Sequence, residues 1–141
     1  MLLKQKLKIY YVTAIFSMVF AVVGFSYNAW RQELTEDNNN IRTASFEVLT
    51  NLAELEQTVF YAHYDQDVVE GNPRKGWVKV GLIVDLSALV SPGSLSSANK
   101  LKVTWQENWQ YMSAERNAVD LIVADIENVR QQVKFALTQL Q

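Results

Sequence analysis

Residues 76–93 read GWVKVGLIVDLSALVSPG, and seven alternate positions are apolar: Val78, Val80, Leu82, Val84, Leu86, Ala88 and Val90. How this stretch folds decides the architecture of everything around it. It is not a membrane span. Trp77 to Val90 is too short for a hydrocarbon core and carries Lys79 and Asp85. The alternation and β-branched residues suit a strand. Yet no other part of the chain reads as a strand, and a lone strand leaves its backbone unpaired. As a helix, Trp77, Val80, Ile83, Val84, Leu86 and Val90 share a broad face, with Lys79 and Asp85 away from it. The expectation is a short apolar helix over about 77–90, with strand as the alternative. Those six residues form the expected partner interface, because so thin a fold needs a cover.

On either side lie helical patterns. Ile41, Ser45, Val48, Leu52, Leu55, Val59 and Ala62 follow a four-three rhythm, which marks one seam of a helix over about 41–70. Phe46, Leu49, Ala53 and Phe60 widen that face. Gly71-Asn72-Pro73 is a stop signal. After the Ser91-Pro92-Gly93 break, Ser94, Ser96 or Ser97 can cap a second helix over about 95–140. Its seam runs through Leu101, Trp105, Met112, Val119, Ile122, Ile126, Val129, Val133, Ala136 and Leu140. The expected domain, 41–141, is therefore an antiparallel helical hairpin with a short apolar helix at its tip. A dimer of it would make a four-helix bundle.

Further upstream, Ile9 to Trp30 is a 22-residue stretch without a charge. As a helix it covers ~33 Å, enough for a hydrocarbon core of ~30 Å. Tyr10, Tyr11, Tyr27 and Trp30 sit where an aromatic belt would lie. The run is longer than a cleavable signal's apolar core, so an uncleaved anchor is expected. Lys4, Lys6 and Lys8 precede it, whereas all fifteen acidic residues follow it. The positive-inside rule then puts residues 1–8 in the cytoplasm. The polar segment 31–40, with TEDNNN at 35–40, is expected to follow the span as a hinge or a solvated turn of helix. The domain beyond it is expected in the periplasm of a bacterial inner-membrane protein. The fold class is all-α.

Reactive chemistry is sparse. There is no cysteine, which excludes disulfides, thiol catalysis and thiolate metal sites. No phosphate loop or nucleophile elbow is present. The acidic balance of the exported part gives no footprint for nucleic acid. His63 is the single histidine, and on a helix it would share a side with Asp67 and Glu70. That set is an incomplete one for a divalent ion, so no metal and no cofactor are expected. Trp105, Trp109 and Met112 form one stripe, and the hairpin would bring it near Phe60 and Tyr64. Those five residues are the candidate ligand pocket, with Asn108 and Arg116 as polar handles.

Two functions fit these residues. The first is a non-enzymatic, membrane-anchored interaction or scaffold subunit that associates with itself or with another membrane or envelope protein. The second is a sensor-like ligand-binding module acting through a partner protein. The layout of span and long antiparallel helices loosely resembles the ectodomain of bacterial chemoreceptors. That resemblance is architectural and implies a dimeric four-helix bundle with a ligand site among its helices.

Overall fold

A computed structural model describes residues 2–140. Among the described residues it contains four helices and no strand: α1 Leu2–His63, α2 Pro73–Ser87, α3 Pro92–Asn108 and α4 Arg116–Thr138. The chain divides into two compact units, one up to Asp37 and one from Asn38 onward.

In the first unit the backbone is helical and the side chains are exposed throughout the described residues. Polar groups here are satisfied locally: the Thr13 hydroxyl donates to the Ile9 carbonyl at 2.9 Å. This helix is long and apolar enough to cross a membrane. The TEDNNN segment does not interrupt α1. It contains no glycine or proline, and Thr35 and Thr43 turn their hydroxyls back onto the carbonyls of Arg31 and Asn39.

The second unit is built around one apolar core, to which all four helices contribute. α1 supplies Val48, Leu52, Leu55 and Val59 from one face, each fully buried. Its buried polar side chains bond back along their own helix, Ser45 to Ile41 and Thr58 to Glu54. That removes the penalty of burying them unpaired.

The opening stretch is helix, and its alternation is coincidental. Val80 and Ile83 are buried while Val78 and Leu82 are exposed, a helical spacing that a pleated strand cannot produce. α2 starts earlier than expected, at Pro73 instead of near Trp77. The Asn72 side chain accepts the Arg74 backbone N–H at 2.9 Å, and Pro73 occupies a first-turn position where no donor is needed. α2 stops at Ser87, short of Val90. The cap of α3 is Ser91 rather than Ser94, Ser96 or Ser97: its hydroxyl accepts the Ser94 N–H at 3.1 Å, again with proline in the first turn, so the helix starts at Pro92.

Two further boundaries differ from expectation. α1 ends at His63 rather than near Glu70, because Gln66 turns into the left-handed region at φ 53°. Its side-chain amide then donates to the carbonyls of Ala62 and His63 at 3.2 and 2.7 Å, satisfying the helix end. The expected helix over 95–140 is two helices, parted by a turn over 109–115 that holds neither glycine nor proline. The His63 ring meets the Met112 carbonyl at 2.9 Å, and Gln66 Nε2 donates to the Ser113 carbonyl at 2.9 Å. The turn is thus stabilised by groups some fifty positions away in the chain.

Close approach replaces bulk at two glycines. A Cβ on Gly76 would stand 2.2 Å from the Trp105 ring, and one on Gly71 would stand 2.5 Å from the Ala62 nitrogen. Trp105 is fully buried and meets Trp77 edge-on at 6.4 Å between centroids. α3 and α4 run antiparallel, with Gly93 beside Gln132 and Thr104 bonded to Asp125. Asp125 is nearly buried. It accepts from Thr104 at 2.5 Å and Asn128 at 3.1 Å, and pairs with Lys100 at 3.3 Å. On α4, Arg130 reaches Glu56 of α1 at 2.8 Å and Glu127 at 2.5 Å. Burial opposes that guanidinium's charge, but its hydrogen bonds to the two glutamates outweigh it and raise its pKa.

Candidate functional site

The turns 64–72 and 109–115 lie side by side, tied by the His63 and Gln66 bonds to Met112 and Ser113. Between them opens a cleft of about 260 Å³. Trp109, Met112, Val68 and Pro73 give it apolar walls, and Gln66 and Asp67 are among its polar lining. Met112 is buried and Trp109 half-buried, so this wall belongs to the rigid core.

Asp67 is held by its own turn. Its Oδ1 accepts the backbone N–H groups of Val69 and Glu70 at 2.9 and 3.0 Å. The bond from Glu70, then that from Val69, keep the carboxyl below its ordinary range. It is the one charged side chain lining the cleft among the described residues. Lys75, which also favours its ionised form, is itself paired with Glu70 at 3.0 Å.

The structure separates the three residues considered for a metal. The His63 ring faces the Met112 carbonyl, Asp67 faces backbone N–H groups, and Glu70 faces Lys75. Among the described residues no group of three metal-ligating side chains comes together. The reason is the early end of α1: once Gln66 leaves the helix, the i, i+4, i+7 spacing no longer defines a face.

The five aromatic and sulfur residues expected around a ligand also divide. Trp109 and Met112 line the cleft. Trp105 is fully buried in the core instead, against Gly76. Phe60 and Tyr64 stack edge-on with each other at 5.7 Å and do not line the cleft. Of the expected polar handles, Asn108 bonds the Thr104 carbonyl at 2.8 Å and Arg116 lies 3.9 Å from Asp120.

The expected partner interface on α2 is largely covered by the chain itself. Val80 and Ile83 are fully buried and Val90 is buried, whereas Val84 and Leu86 are half-buried. Trp77 keeps 36% exposure. α3 packs against α2, with Trp105 on Gly76 and edge-on to Trp77.

Gln66, Val68 and Ser113 line the cleft, and no sequence motif points to them as site residues. Part of the signal was present: Asp67 followed by Gly71-Asn72-Pro73 is turn chemistry. Nothing in the neighbourhood of Ser113 marks it as a turn. Comparison with protein-family models, curated proteins and solved structures finds no match.

Proposed function

We propose that this chain is a single-pass, membrane-anchored helical interaction protein, a non-enzymatic accessory or scaffold subunit of a bacterial inner-membrane or envelope complex. The observation that carries the reading is the exposure of the apolar run. Phe16, Phe20, Phe25 and every other residue from Ile9 to Trp30 face outward. An uninterrupted apolar surface of that kind is stable in lipid and aggregates in water. The lysines before the run support a cytoplasmic N-terminus, which would place the unit from Asn38 onward on the periplasmic side.

In this reading the second unit is a small helical bundle that supplies most of its own core. It keeps one apolar row on α1, Phe46, Leu49, Ala53 and Phe60, for self-association or for another membrane protein. Phe46 is 61% exposed. An anchor confines such a surface to a thin layer and raises its effective concentration for a membrane partner.

The chain has no native cysteine, so topology is directly testable. Gln5→Cys and Gln106→Cys variants would be treated with an impermeant maleimide on intact spheroplasts. Labelling at 106 but not at 5, with the protein resisting alkaline extraction, is the expected result. Release by alkali overturns the anchor, and the reverse labelling overturns the orientation. Native-membrane purification in mild detergent then tests the interaction role. A stoichiometric membrane companion or a defined homo-oligomer is expected, and a lone monomer overturns it.

A further inference from the structure

Two features converge on the cleft between the turns 64–72 and 109–115. Its walls include an indole, from Trp109, and a thioether, from Met112. Its one charged side chain is the Asp67 carboxylate, and no Lys, Arg or His lines it among the described residues. α1 ends beside it, with Ala62 in the lining, and so does α3, whose C-terminal cap is Trp109. The Ala62 and His63 carbonyls at the α1 end are taken by Gln66 Nε2, and the Trp105 carbonyl at the α3 end by the Trp109 N–H, so neither end leaves these acceptors open. α2 begins there too, and its end is also quenched: Pro73 has no N–H, and Arg74 N–H is taken by Asn72. The indole and the carboxylate favour positive charge, and the apolar side chains of Trp109, Met112, Val68 and Pro73 favour a weakly hydrated one. Asp67 is the one carboxylate in the lining, beside Gln66, Gln110 and Ser113, and among the described residues no group of three His, Cys, Asp or Glu side chains gathers to hold a metal ion.

We propose that this cleft is a binding site for a small organic ammonium ion, seated against the indole of Trp109 with Asp67 as its counter-charge. The volume sets the size. About 260 Å³ falls below the roughly 300–1,000 Å³ of sites for drug-sized ligands, so a compact alkylammonium head fits and a large amphiphile does not. The site is preorganised, because Asp67 is fixed by two backbone donors and the two turns are tied together by His63 and Gln66. Asp67 is ionised at neutral pH for the reasons already given, so the cation meets a formed charge. This assignment is independent of the membrane topology and of the interaction role.

The test is calorimetric titration of the full-length protein in a non-ionic detergent. Three probes are used: tetramethylammonium, choline, and 3,3-dimethylbutan-1-ol, the uncharged isostere of choline. Saturable binding of both cations is expected, with the alcohol weaker by about tenfold or more. Asp67→Asn keeps the Oδ1 acceptor of the turn and removes the charge, so it should fold and lose at least about tenfold in choline affinity. Ser113→Lys lies on the exposed rim and introduces a resident ammonium, so it should abolish choline binding without unfolding the domain. Equal binding of the alcohol and choline, absence of saturable binding by either cation, or wild-type affinity in Asp67→Asn or Ser113→Lys would each overturn the proposal.

Discussion

The residues up to Asp37 and those from Asn38 onward use the same secondary structure for opposite purposes. In the first unit α1 is apolar all round from Ile9 to Trp30, and none of it is buried. In the second unit α1 is apolar on one face, and Val48, Leu52, Leu55 and Val59 are fully buried there. A stripe has a direction and calls for neighbours of the same chain, whereas a cylinder of apolar side chains calls for a solvent. The contrast extends to polar groups. Thr13 needs only its own helix, since its hydroxyl reaches the Ile9 carbonyl. Asp125 needs three partners from two helices.

Charge insertion should break this contrast most sharply. Leu55→Asp buries an unpaired carboxylate and should abolish cooperative unfolding of the second unit, a loss of several kcal/mol. Val19→Asp should leave that unfolding transition unchanged and weaken membrane integration, by about 2.5–3.5 kcal/mol at the centre of a span. Thermal melts followed by circular dichroism, paired with alkaline extraction of membranes, read the two effects separately. If Val19→Asp melts the second unit, the division between the units is wrong.

The glycines grade the same comparison. Gly76→Ala forces a Cβ into the Trp105 ring and should destabilise the second unit by about 1–3 kcal/mol. Gly81→Ala, on the same helix with nothing within 4 Å of its Cβ, should stabilise by about 0.5–1 kcal/mol. Urea titration of both variants decides this, and equal effects would mean that Trp105 does not lie on Gly76.

Polar deletion sharpens it further. Asp125→Ala strands the Thr104 and Asn128 donors and should cost about 1–3 kcal/mol, while Thr13→Val should change the stability of the second unit by less than about 0.5 kcal/mol. The smallest effect is on acid stability. Asp67 and Glu127 both have lowered pKa values, Asp67 through its turn N–H donors and Glu127 through Gln131 and then Arg130. A carboxylate with a depressed folded pKa contributes stability that is complete above its unfolded value. That contribution is lost as pH falls through the folded value. The melting temperature should therefore hold down to the ordinary values, 4.5 for Glu127 and 3.8 for Asp67, and decline below them. Asp67→Asn and Glu127→Gln should each flatten the decline, and an unchanged slope in the double variant would remove these groups as its cause.

Everything local and periodic is legible in the residues alone. The all-helical class, the apolar N-terminal helix, the seam Val48-Leu52-Leu55-Val59 and the break at Ser91-Pro92 all arise from spacing, backbone restriction and capping chemistry within a few positions. Where the returning helix breaks depends on distant contacts, because the turn over 109–115 is stabilised by His63 and Gln66 rather than by any breaker of its own. Trp105 and Trp109 illustrate the limit. Four positions apart, they look alike as a stripe. One closes onto Gly76 in the core and the other, just past the end of α3, lines the cleft. A helical period tells which side chains share a face while the helix lasts, and where it ends depends on the contacts that compete for its last turn.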